Sequence, residues 1–206
     1  MSTVTKLVLA SASPRRQALL HQIGIHDFAI RVSDVDESYD PALPPARIVE
    51  TLSRRKAEAV DCGPEELIIA ADTMVFLDGQ RLGKPADPAD ALRMLQALQG
   101  RTNTVRTGIT LRRGDRLLTG CEATAVRFRS LTTAQLRAYV DSGEPLDKAG
   151  AYGIQGVGAL LITGIEGDYF NVMGLPVCRL GRVLRDFGVD ALALAAGGPE
   201  GRRGRS

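Results

Sequence analysis

The sequence predicts an α/β protein built on a mixed β-sheet flanked by helices. Short continuous apolar runs alternate with segments of helical periodicity. Several runs pass directly into helix-start chemistry, which favours parallel β-α units, and others are joined by tight turn signals, which favour antiparallel pairs. With 206 residues, 44% of them hydrophobic and 24% charged, the chain is long enough to bury a substantial core, and one domain is expected over residues 1–190.

Lys6-Leu7-Val8-Leu9-Ala10 reads as a strand buried on both faces. Ser13 and Pro14 then open a helix with an apolar face of Leu19, Leu20 and Ile23, closed by Gly24. After a Pro-rich stretch, Ala46 to Val60 is a second helix with Val49, Leu52, Ala59 and Val60 on its stripe. Leu67 to Ala71 is a second buried strand expected to stop at Asp72, with more strand from Met74 to Leu77 and a hairpin turn at Asp78-Gly79. Asp87-Pro88 starts a helix carrying Ala91, Met94, Leu95 and Leu98. Thr104 to Leu111 and Leu117 to Phe128 alternate as two strands around Gly114-Asp115. Thr132 caps a helix with Leu136, Tyr139 and Val140, Val157 to Ile165 reads as strand, and Leu175 to Phe187 is the last helix. Residues 191–206 are expected to be a disordered tail.

Composition narrows the partners. A net charge of +2, part of it from Arg202, Arg203 and Arg205 in the tail, argues against stable nucleic-acid binding. No apolar run reaches the roughly 20 residues of a membrane span. Cys62, Cys121 and Cys178 are odd in number and widely spaced, which suits a reduced, cytoplasmic setting. A homodimer is compatible with this composition. His21 and His26 stand in no nucleophile motif and G-x-S-x-G is absent, so a covalent intermediate is not expected.

Four places carry chemistry. Arg15 and Arg16 occupy a helix first turn, where a cation forgoes about 0.3–1 kcal/mol of dipole stabilisation that a bound polyanion would reverse. Two solvated surface arginines are the alternative. Lys56 lies on the apolar side of its helix, either snorkelling or aiming its ammonium into a cleft. Asp72 is expected at the lip of the sheet, and with Asp36-Glu37 it offers oxygen ligands suited to Mg²⁺ or Mn²⁺, although acidic loop pairs are commonly just solvated. The connection from Gly143 to Gly156 mixes charges, an aromatic and glycines as ligand-holding loops do.

Taken in order, Leu9-Ala10-Ser11-x-Ser13-Pro14-Arg15-Arg16, Ala71-Asp72-Thr73, Gly83-Lys84-Pro85, Gly100-Arg101-Thr102, the run from Glu144 to Gly156 and Leu175-Pro176 resemble the Maf family over residues 6 to 188. The resemblance implies an elongated fold in two lobes around a central cleft, similar to the inosine triphosphate pyrophosphatases. It also implies a divalent metal cation, Mg or Mn, and a nucleoside triphosphate substrate cleaved between its α and β phosphates. By matching motif, it implies Asp72 as catalytic acid/base, Ser11, Arg16, Lys56 and Lys84 as phosphate contacts, and Asp36 with Asp72 as metal ligands.

One branch of that family, acting on dTTP and UTP, shows Arg, Thr and Gln at the positions of Arg15, Thr73 and Gln155. The branch acting on 7-methyl-GTP tends to carry Trp, Gln and Glu there. A glutamine amide donates and accepts together, which complements the O4 and N3–H of uracil or thymine. The family's association with septum formation leaves a non-catalytic, nucleotide-binding regulator of cell division as a competing expectation.

Overall fold

The computed structural model describes residues 6–32 and 34–196. Its strands are β1 (Lys6–Leu9), β2 (Phe28–Ile30), β3 (Glu66–Leu77), β4 (Gln80–Leu82), β5 (Thr102–Arg113), β6 (Arg116–Phe128) and β7 (Ile162–Glu166). The helices are α1 (Pro14–Gln22), α2 (Pro45–Glu58), α3 (Pro88–Leu98), α4 (Thr133–Asp141), α5 (Tyr169–Met173), α6 (Val177–Asp186) and α7 (Ala191–Ala195). The strands form one seven-stranded sheet in the order β2-β1-β3-β5-β6-β7, with β4 paired to β3. β1 runs parallel to β2 and β3, whereas β3–β4 and β6–β7 are antiparallel. The mixed α/β class is therefore the observed one. Among the described residues, no helix is long and apolar enough to cross a membrane.

Four local readings need correction. β3 does not stop at Asp72 but runs through it for 12 residues, because both of its faces are covered on either side of that position. Residues Gly156–Leu161 are 3-10 helix, and strand begins only at Ile162; the Glu144 carboxylate takes the Val157 and Gly158 amides that a strand would offer to a neighbour. Ser13 stands at the N-cap of α1 without a side-chain cap bond; the Ser11 hydroxyl accepts its backbone N–H. β2 and α5 are additional elements. Asp190 caps α7 by accepting from Leu192 and Ala193 N–H, within the segment expected as a tail; residues 197–206 of that expectation lie outside the described residues.

The chain divides into two compact units. The first takes the described residues of Met1–Asp72, Thr107–Glu122 and Gly174–Ser206, and the second Thr73–Arg106 and Ala123–Met173. In the second unit, α3 and α4 pack Leu95, Leu98, Leu136 and Val140 with Val75, Val126 and Phe128, and Phe128 meets Tyr152 edge-on at 4.8 Å. α3 starts at Asp87, which accepts from Asp90 N–H, and α4 at a Thr132–Gln135 capping box.

In the first unit, α2 lies on the sheet at unusually close range. A Cβ at Gly108 would sit 2.1 Å from the Val49 carbonyl oxygen, so only glycine permits this approach. Ser53 donates to the Glu50 carbonyl, which leaves Thr110 to donate to Ser53 at 2.9 Å and Thr119 to Thr110 at 3.0 Å. At the far end of α2, Arg112 donates to the Glu58 and Val60 carbonyls, satisfying acceptors that a helix terminus leaves open. Depth, register and end of α2 are thus all set from β5.

Gly108→Ala should destabilise the protein by about 1–3 kcal/mol, the usual range for overpacking, read as a lower urea midpoint at unchanged slope; a shift within about 0.5 kcal/mol would contradict the close approach. A second expectation concerns Glu66, whose carboxylate takes two 2.6 Å bonds from Arg31. The Arg31 guanidinium, with the Gly63 N–H, lowers its pKa from 4.5 to about 2. A depressed carboxyl contributes stability that is whole above its unfolded value and is lost as pH falls through the folded one. Glu66→Gln should therefore lower stability at neutral pH and flatten the loss between pH 4.5 and about 2; an unchanged acid limb would refute this.

Candidate active site

In the first unit, β1 delivers the chain to Ser11, 8% exposed, whose hydroxyl oxygen accepts from Ser13 N–H and from Arg16 Nη1 at 3.1 Å. Arg16 Nε donates to the Gly174 carbonyl at 2.8 Å. The half-buried guanidinium is therefore held from two directions. Desolvation lowers its pKa, opposed by Asp72, reinforced by Arg15 and opposed by Glu37. Arg15 is exposed beside it, and the first turn of α1 has no acidic residue. The positive end of α1 and two guanidinium groups therefore stand together, an arrangement that favours an anion.

α2 brings Lys56 to the same unit's acidic groups. Its ammonium lies 2.7 Å from Asp72 Oδ1 and 2.7 Å from Glu37 Oε1. The Lys56 and Asp72 side chains are only 14% and 8% exposed, so this is a largely buried pair, which stands only with good hydrogen-bond geometry. Asp72 Oδ2 is buried and has no hydrogen-bond partner among the described residues. An unsatisfied carboxylate oxygen costs desolvation that a cation or a water would return.

Of the Asp36-Glu37 pair, Glu37 is the one brought to Asp72 and Lys56. Asp36 is exposed and accepts from Ser38 N–H and Oγ–H, which lowers its pKa. Arg55, next to Lys56 on α2, donates to the Asp36 and Ser38 carbonyls that flank Glu37. One helical turn therefore grips the backbone on either side of Glu37 and its carboxylate. The acidic pair was visible in the sequence; the choice between its members was not, because it depends on Ser38 and Arg55. Among the described residues, no group of three or more His, Cys, Asp or Glu side chains forms a metal cluster.

The second unit holds the other three expected residues. Thr73 follows Asp72 on β3 and is half-buried, its side chain on the opposite strand face. Lys84 is exposed and follows Gly83, whose carbonyl accepts from Gly150 N–H at 2.9 Å. Gly150 has φ +70°, and a Cβ there would press on Val75 at 3.1 Å, so the Gly83-Lys84-Pro85 and Lys148-Ala149-Gly150 motifs are joined through glycine. Gln155 is exposed on the loop that follows. Glu144, a site the sequence reading did not single out, underlies that loop. Burial raises its carboxyl, but Val157 N–H, Gly158 N–H and the Tyr139 hydroxyl outweigh this and hold it below the ordinary range.

Fold and side chains thus define an α/β protein with a buried, lysine-held carboxylate close to an arginine-rich helix start. The family model described as "Maf-like protein" matches residues 6–187, and the chain belongs to the Maf family. It is 55% identical over 190 residues to a dTTP/UTP pyrophosphatase of Moorella thermoacetica, covering 91% of this chain and 97% of the relative. It is 51% identical over 193 residues to a dTTP/UTP pyrophosphatase of Symbiobacterium thermophilum, covering 93% and 99%. A solved structure, the nucleoside-triphosphatase / dITP/XTP pyrophosphatase from Mycobacterium abscessus, has TM-score 0.44 and 12% identity to this chain, covering 88% of it and 98% of the other.

Lys56→Met should cost about 3–5 kcal/mol of stability, because it leaves the Asp72 carboxylate buried without its partner. The double variant Lys56→Met/Asp72→Asn should recover part of that loss in a denaturant titration. Additive losses would show that the two side chains are not coupled.

Proposed function

We propose that this chain is a pyrophosphatase that hydrolyses dTTP and UTP to the nucleoside monophosphate and pyrophosphate, in a cytoplasmic setting. The observation that carries the reading is Asp72: a buried carboxylate with one oxygen on Lys56 and the other without a partner. Membership of the Maf family and the activity for which the relatives are named support the substrate.

Asp72 and Glu37 suit a divalent cation, since Mg²⁺ and Mn²⁺ take carboxylate oxygens and Mg²⁺ commonly uses only one or two alongside phosphates and water. The unpartnered Asp72 Oδ2 is an acceptor of the right hardness, and Glu37 takes the place first expected of Asp36. When bound, such an ion supplies charge neutralisation for the triphosphate.

Arg16, fixed by Ser11 and the Gly174 carbonyl, presents a prepositioned guanidinium to phosphate oxygens, and Lys56 and Lys84 add positive charge. Asp72 acts ionised and takes the proton of the water whose oxygen attacks the α-phosphorus. The α–β anhydride bond breaks, and its electron pair leaves on the bridging oxygen of pyrophosphate. Arg15, Thr73 and Gln155 select the base, with the Gln155 amide matched to the donor and acceptor of uracil and thymine.

The test is a panel of nucleoside triphosphates with Mg²⁺ or Mn²⁺, resolving monophosphate and pyrophosphate from diphosphate and phosphate. The expected result is metal-dependent pyrophosphate release that is fastest with dTTP and UTP and falls by about 100-fold or more in Asp72→Asn. Near wild-type turnover in that variant would remove Asp72 from the reaction, and preference for 7-methyl-GTP would overturn the base assignment.

A further inference from the structure

The loop that carries Gln155 is held by one partly buried network. Gly153 N–H donates to the Tyr139 hydroxyl oxygen at 3.2 Å, and that hydroxyl donates to Glu144 Oε1 at 3.0 Å. Gly158 N–H donates to the same Oε1 at 3.0 Å, and Val157 N–H to Oε2 at 2.8 Å. The chain is thus gripped two residues before Gln155 and again two and three residues after it. Gln155 itself is exposed at the crest, and its amide makes no hydrogen bond among the described residues.

The glycines of this loop fit the same clamp. At Gly156, with φ +65°, a Cβ would lie 2.6 Å from Glu144 Oε2. At Gly158 it would lie 2.3 Å from the Gly153 carbonyl oxygen and 2.8 Å from the Tyr139 hydroxyl. The backbone therefore wraps the carboxylate too closely for any side chain, on both turns. Lys148 closes the base of the loop by donating to the Glu144 carbonyl at 2.7 Å. A side chain that reads a base must stand still, because each mobile torsion it loses on binding weakens the contact.

We propose that Glu144 is a positioning residue for base selection: through its own carboxylate and the Tyr139 hydroxyl it fixes the backbone on both sides of Gln155. This rests on the reading that Gln155 contacts the pyrimidine. Glu144 touches no substrate atom; it acts by removing freedom from residues 153–158. A carboxylate suits the task because it accepts without donating and so can serve three donors at once. Glutamine keeps one acceptor oxygen but turns an N–H group toward one of the clamped amides.

The test compares Glu144→Ala, Glu144→Gln, Tyr139→Phe, Gln155→Ala and the double variant Glu144→Ala/Gln155→Ala in the full chain. Two readouts are taken: amide hydrogen exchange across residues 153–158, and kcat and KM for dTTP and GTP. The clamp predicts exchange at Val157 and Gly158 about 10-fold faster or more in Glu144→Ala, a smaller rise in Glu144→Gln, and a rise at Gly153 in Tyr139→Phe. It predicts a KM for dTTP raised as much as in Gln155→Ala, a kcat changed less than KM, the same fall in the dTTP-to-GTP preference, and no further fall in the double variant. Tyr139→Phe carries the test if Glu144→Ala does not fold. Unchanged exchange would overturn the clamp. Faster exchange with dTTP preference retained, while Gln155→Ala loses it, would overturn the positioning role. Preference retained in Gln155→Ala itself would instead overturn the reading of Gln155 on which the role depends.

Discussion

The Lys56 ammonium is the interaction on which the first unit's chemistry rests. It lies 2.7 Å from each of two carboxylates, Asp72 on the longest buried stretch of the sheet and Glu37 on a loop. Asp72 is nearly buried while the Glu37 side chain stays 60% exposed, and one cation between the two carboxylates offsets their repulsion. The arrangement requires α2 at one depth and one register. Gly108 sets the depth by admitting the Val49 carbonyl, and the Ser53–Thr110–Thr119 hydroxyl chain sets the register.

A second constraint works in the same manner elsewhere. Glu144 in the second unit, like Asp72 in the first, is a half-buried or buried carboxylate surrounded by donors, but its donors are backbone N–H groups and a tyrosine hydroxyl. The difference decides what each does. Glu144 has all its bonds made and organises a loop, whereas Asp72 keeps an oxygen without a partner and is the one left with capacity for chemistry.

Most long elements were legible because their signals are local. Asp87-Pro88, Thr132, and Gly114 between β5 and β6 each carry their own punctuation. β2 was not, since Phe28-Ala29-Ile30 is three residues long and two of them are exposed. The passage of β3 through Asp72 was hidden because a carboxylate inside an apolar run reads as an end, and only the Lys56 partner makes it tolerable in mid-strand. Arg16, Lys56 and Asp72 were visible one at a time, as a helix start with the wrong charge, a lysine on an apolar face and a carboxylate read at the end of a buried strand. Glu37 was visible only as one of the Asp36-Glu37 pair and Glu144 only as part of the Gly143 to Gly156 connection, because their roles are fixed by residues distant in the chain or on other elements: Lys56 for the first, and Tyr139, Val157 and Gly158 for the second.

The central claim, that water attacks the α-phosphorus under the influence of Asp72, is tested most directly by following the water oxygen. A single turnover of UTP in water enriched in oxygen-18 should place one labelled oxygen in the monophosphate and none in the pyrophosphate. Label in the pyrophosphate would mean attack at the β-phosphorus and would contradict the account.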